Sequence, residues 1–103
     1  MLAKEFAGGT STKTIVVRLV SVEHVKTDLM EAGNQDFYAI VLHESEDPAC
    51  SFPDERMTTV VEGEYEDEDL KLYEGATWNQ EIMLEIAPGE TSIQVSVWDA
   101  DAG

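Results

Sequence analysis

Apolar residues in this chain recur mostly at every second position. From Thr14, Ile15, Val17 and Leu19 alternate on one face, Val16, Arg18 and Val20 fill the other, and the pattern runs on toward Val22 and Val25. This is strand spacing, and apolar residues on most of both faces predict a central strand. Residues 26–35 are mixed and contain Gly33, which predicts a loop. Phe37-Tyr38-Ala39-Ile40-Val41-Leu42 follows as a second buried strand, and Met57 to Val61 as a short, half-polar third. Ile82, Leu84 and Ile86, alternating with Met83 and Glu85, form a fourth strand with one solvent-leaning face. Ala87-Pro88-Gly89-Glu90 has the chemistry of a turn that joins hairpin strands. Ile93, Val95 and Val97 then alternate with Gln94, Ser96 and Trp98 as a fifth strand. No stretch of helical length shows a helical period. Five legible strands separated by turn-rich loops predict an all-β sandwich or barrel.

The remaining segments set the domain plan. Residues 1–13 are small and polar, with Gly8-Gly9-Thr10-Ser11-Thr12 in a row, and are expected to be a flexible leader. Residues 14–103 are expected to form one domain, with an acidic insertion around 43–77 that contains two surface loops. At 103 residues such a domain can build a core without disulfides or metal.

Charge narrows the function. Twenty-two Asp and Glu against six Lys and Arg give a net charge of −16. Six scattered cations cannot build the basic stripe that nucleic acid requires, so no nucleic-acid partner is expected. Direct adhesion to an anionic membrane is disfavoured for the same reason. An acidic chain is suited to binding cations or a basic partner. No apolar run approaches the length of a membrane span, and the first residues carry no signal-peptide pattern, which favours a cytoplasmic or peripheral membrane location. The one cysteine, Cys50, excludes an intrachain disulfide and a thiolate zinc site.

Four landmarks in order resemble a C2 domain. Ile15-Val16-Val17-Arg18-Leu19 through Val25 is similar to the family's L-x-V-x-I strand before its first calcium loop. Asp36-Phe37-Tyr38-Ala39 resembles the D-P-Y-V strand opening, with Phe37 in place of proline. Trp78-Asn79-Gln80-Glu81 resembles a W-N-E opening, and Val95-Ser96-Val97-Trp98-Asp99-Ala100-Asp101 a V-x-V-x-D-x-D strand and loop. The resemblance spans roughly residues 15–101 and implies an antiparallel Greek-key β-sandwich. That sandwich is incomplete, because the family continues beyond the D-x-D loop with a further acidic ligand and closing strands.

The resemblance also implies a calcium site, in which loops at one end of the sandwich bring aspartates from two distant segments together. Asp36, Asp99 and Asp101 carry over directly. Asp28 is the candidate for the remaining first-loop acid, with Glu31 as the substitute because the spacing differs. The carbonyl of Ala100 lies between two of the acids as a further ligand. Calcium takes six to eight oxygen ligands, which carboxylates and carbonyls supply. Without a cation, converging carboxylates repel one another. Leu29 and Met30, beside these acids, are the expected membrane-contact pair; the plainer reading folds them back onto the sandwich end. With 22 acids present a D-x-D pair also arises by chance, and Asp67-Glu68-Asp69 is a second one.

Two functions of different kinds follow. One is a calcium-binding module that associates with phospholipid headgroups. The other is a structural or protein-interaction β-sandwich in an acidic assembly, with calcium absent or serving as a rivet. Either can take a second copy or a partner segment to complete its sheets. An enzyme is not expected: His24 and His43 lack a paired nucleophile, Cys50 has no cationic neighbour, and no phosphate loop is present. Trp78 and Trp98 are expected to pack rather than to bind.

Overall fold

The computed structural model describes residues 12–27 and 34–100. It is all-β, with two antiparallel three-stranded sheets packed face to face. Among the described residues six strands run in the order β1 Lys13–Lys26, β2 Asp36–His43, β3 Val61–Glu62, β4 Glu64–Tyr65, β5 Tyr73–Ile86 and β6 Ile93–Asp99, with a 3-10 turn at Asp54–Arg56. One sheet has the order β1-β5-β4 and the other β3-β2-β6.

The alternation seen in the sequence builds the core. Leu19, Ala39, Val41, Ile82, Leu84, Ile86 and Ile93 are buried between the sheets, with Ile15, Val17, Trp78, Val95 and Val97 packed half-buried around them. The β2–β6 ladder runs without interruption from Phe37↔Asp99 to His43↔Ile93. The β1–β5 ladder shifts register twice, between Leu19 and Ser21 and between Val22 and Val25. The first shift places an extra residue on β5 and the second an extra residue on β1, so the original register is restored. Asn79 and His24 mark the two bulges with left-handed φ of 51° and 61°. Such bulges increase local twist and bend the strand.

Several sequence expectations are corrected. β1 is an edge strand, not a central one. Its second apolar face points to solvent, with Val16 at 50% and Val20 at 53% exposure. The first expected surface loop, 43–56, is not free. Arg56 and Thr58 lie along the edge of β2 away from β6, where Arg56 donates from its guanidinium to the Val41 carbonyl at 2.9 Å and Thr58 donates its N–H to the Ala39 carbonyl at 2.9 Å, and Pro48 to Phe52 line a groove with Tyr38 and Ile40 on the outer face. This cover explains why Ile40 and Leu42 are buried on the opposite face from Ala39 and Val41. The expected Met57–Val61 strand reduces to one bridge, Met57 to Ile40, and to β3. The acidic 62–76 stretch holds β4 and the first residues of β5, so β5 begins five residues before Trp78. The Ala87–Glu90 turn forms, with the Glu90 N–H donating to the Ala87 carbonyl at 3.1 Å and Gly89 at φ 86°. It joins β5 of one sheet to β6 of the other, so the two strands are not a hairpin. Of the expected 1–13 leader, residues 1–11 lie outside the described residues and Lys13 belongs to β1.

The connection between β3 and β4 is a single residue, Gly63, yet these strands belong to different sheets. The chain therefore steps from one sheet to the other along one lateral side of the sandwich. A Cβ at Gly63 would lie 2.6 Å from Phe37 Cε2, 2.9 Å from Glu74 Oε1 and 3.0 Å from the Gln35 carbonyl, so only glycine fits the crossing. On the opposite lateral side, β1 and β6 are both edge strands.

Candidate functional site at the ends of β2 and β6

Antiparallel pairing puts the end of β1, the start of β2, the β3–β4 crossing and the end of β6 at one end of the sandwich. The ladder between β2 and β6 continues one residue past the strands: the Ala100 N–H donates to the Asp36 carbonyl at 2.7 Å. This bond fixes the two strand ends against each other. Asp36 and Asp99 consequently sit on adjacent strands at the same end, with Ala100 opposite Asp36. Asp36 also faces Glu62 directly across the β2–β3 ladder, and both are exposed. Two carboxylates opposite each other on one sheet face repel, which a cation would relieve.

Glu62 was not foreseen, because it lies in an acidic stretch with no alternation to mark it as a strand. The rest of the expected site falls elsewhere. Asp28, Leu29, Met30, Glu31 and Asp101 lie outside the described residues. Among the described residues no group of three or more His, Cys, Asp and Glu is close enough to hold a metal. Asp36 and Glu62 share the outer face of their sheet, whereas Asp99, paired with Phe37, belongs by strand alternation to the other face. The competing pair Asp67 and Asp69 has a structural use: Asp67 Oδ1 accepts from the Asp69 and Leu70 N–H groups at 2.9 and 3.2 Å, forming the turn before β5.

A second carboxyl at this end is fully buried. Glu74, 0% exposed on β5, accepts the Gln35 N–H through Oε1 at 2.9 Å. Among the described residues its Oε2 has no hydrogen-bond partner, nor does the buried Oγ1 of Thr27. The Thr27 N–H donates to the Leu72 carbonyl at 2.8 Å, and the Gly63 N–H to the Gln35 carbonyl at 2.7 Å. Both flanks of residues 28–33 are therefore tied to the sandwich. A buried acid inside an acidic run gives no sequence signal, since its neighbours Glu64, Glu66 and Glu68 are exposed.

At the opposite end, His43 Nδ1 lies 2.6 Å from Glu90 Oε2, and Arg56 pairs with Glu46 at 2.9 Å. The Arg56 hydrogen bond, joined by the His43 N–H, holds the Glu46 carboxyl below the usual carboxylate range despite the upward push of partial burial. At Glu90, burial pushes the carboxyl up, but the Ala87 N–H and His43 together outweigh it and the net shift is downward. Both histidines lie beside carboxylates. His24 stacks on Tyr73 with ring centroids 3.9 Å apart and lies 3.2 Å from Glu66 Oε1. Trp78 packs on the core and donates its Nε1–H to the Phe37 carbonyl at 3.3 Å, whereas Trp98 is exposed. Cys50 is free and exposed.

No family model, curated protein or solved structure matches this chain.

Proposed function

We propose that this chain is a calcium-binding, C2-like module that associates with phospholipid headgroups through calcium held at the β2–β6 end. The observation that carries this reading is the 2.7 Å bond from the Ala100 N–H to the Asp36 carbonyl, which sets the openings of the two aspartate-bearing motifs side by side. The Asp36–Glu62 opposition adds a third carboxylate in need of a counter-charge. Thr27 and Gln35, which flank residues 28–33 in the chain, are both anchored at this end of the sandwich. Bound calcium would supply the positive charge that lets carboxylates and lipid phosphates share one site.

Calorimetric titration with calcium, paired with vesicle sedimentation with and without chelator, tests this. Calcium binding with calcium-dependent sedimentation on phosphatidylserine vesicles is expected. The second reading, a protein-interaction sandwich, draws on the net charge of −16, which two or three calcium ions would reduce but not cancel. Under that reading no vesicle binding occurs in either condition.

A further inference from the structure

The two edge strands on the open side of the sandwich differ in how they meet solvent. β1 carries Lys13, Arg18 and Lys26, half of the six cations in the chain, and it is bent by the bulge at His24. Charge and bulges are the usual means by which an edge strand is kept from pairing with another chain. β6 has neither. From Ile93 to Trp98 it contains no charged residue and no proline, and its ladder with β2 has no register shift. This is a flat, neutral edge in a chain with 22 carboxylates.

The hydrogen-bonding groups on that edge follow from the ladder. Because the Ala100 N–H bonds to Asp36, alternation turns the main-chain groups of Trp98, Ser96 and Gln94 toward β2. Those of Ile93, Val95, Val97 and Asp99 then point away from it. Val95 and Val97 are also the half-buried inner-face residues at the open side of the core. Gln94, Ser96 and Trp98 occupy the outer face.

We propose that β6 pairs antiparallel with β6 of a second copy, about a two-fold axis at Ser96. In this register Val95 lies opposite Val97 of the second copy, Gln94 opposite Trp98, and Ile93 opposite Asp99. Every outward main-chain group meets an outward group, and the valines on the inner face cover one another. The two β3-β2-β6 sheets merge into one continuous sheet with an isologous interface. The occupant is a second copy because the strand is self-complementary in this register and places no carboxylate opposite another. The two bodies repel through their net charge, so pairing strengthens as salt screens them. It needs no calcium.

Sedimentation in chelator over a range of protein concentrations, at low and high salt, reads the association. A shift from one to two chain masses that strengthens with salt is expected. Ser96→Lys places two ammonium groups face to face on the axis and should weaken self-association about tenfold or more, while Val20→Lys on β1 leaves it unchanged. In a Cys50→Ser background, oxidised Ser96→Cys should yield a disulfide-linked dimer, because a non-hydrogen-bonded pair sits about 4.5 Å apart at Cα, within disulfide reach. Val20→Cys should not. Amide exchange at Val95 and Val97 should slow as concentration rises. A monomer in every condition overturns the proposal. So do amides already protected in the monomer, which would mean that the chain covers its own edge, and so does a dimer indifferent to Ser96→Lys.

Discussion

The buried carboxyl of Glu74 accepts the backbone N–H of Gln35 at 2.9 Å, a bond between strand β5 of one sheet and the residue just before β2 of the other. Among the described residues only one of its two oxygens has a partner. Glu74→Gln keeps a carbonyl acceptor for Gln35 and removes a buried ionisable group, so its midpoint in urea should equal or exceed that of the wild type. Glu74→Ala leaves the Gln35 N–H without an acceptor and opens a cavity, and should cost about 1–3 kcal/mol. A Gln variant as unstable as the Ala variant would show that the carboxyl is held by something other than this bond.

Gly63 admits no side chain at the sheet crossing. Gly63→Ala should lose about 1–3 kcal/mol, because Phe37, Glu74 and the Gln35 backbone must all yield. Gly89→Ala is the comparison: nothing lies within 4 Å of its added Cβ, and only the positive φ of 86° opposes it, so about 1 kcal/mol is expected. Thermal melts of the two variants give the order directly.

Asp36→Asn and Asp99→Asn should each weaken calcium binding by about tenfold or more, since carboxylate count sets affinity in such sites. Asp67→Asn should leave it unchanged, because Oδ1 is engaged by the Asp69 and Leu70 N–H groups and an amide oxygen can replace it. Calorimetry on the three variants decides. Equal losses at all three would mean that the acids act as a diffuse field.

Glu46 and Glu90 have folded-state pKa values below their ordinary 4.5, so each favours folding above that pH. The contribution is lost as pH falls below 4.5 and through the lowered folded values. Stability measured from pH 7 to pH 3 should therefore show the wild type ahead of Glu46→Gln/Glu90→Gln at neutrality. The gap should close in acid. A gap that stays constant would sever the link between these ion pairs and the acid limb.

The parts of the fold visible in the sequence are those where side chains alternate against the core. Ile15, Val17 and Leu19, Phe37 to Leu42, Ile82 to Ile86, and Ile93 to Val97 all mark strands that formed. The short strands β3 and β4 were hidden, because two residues cannot display a period and each carries an exposed Glu. The start of β5 was hidden for another reason: a buried Glu74 stands where alternation calls for an apolar residue. Edge and centre were confused at β1, since Val16 and Val20 are apolar yet face water. Of the candidate site, Asp36, Asp99 and Ala100 are legible in the sequence and lie at the joined ends of β2 and β6, with Asp36 and Asp99 on opposite faces. Glu62 emerged only from the β2–β3 register.

The crossing at Gly63 also shapes how the molecule can move. A sandwich whose chain steps between its layers along one lateral side is bound there like a book at its spine. The Ala87–Glu90 turn ties the layers at one end, so opening is expected along the rest of the fore-edge, between β1 and β6, and amides should exchange fastest there and slowest around Phe37, Glu74 and Gly63. Breathing and partner capture would share one side of the molecule, leaving the spine as its most persistent part.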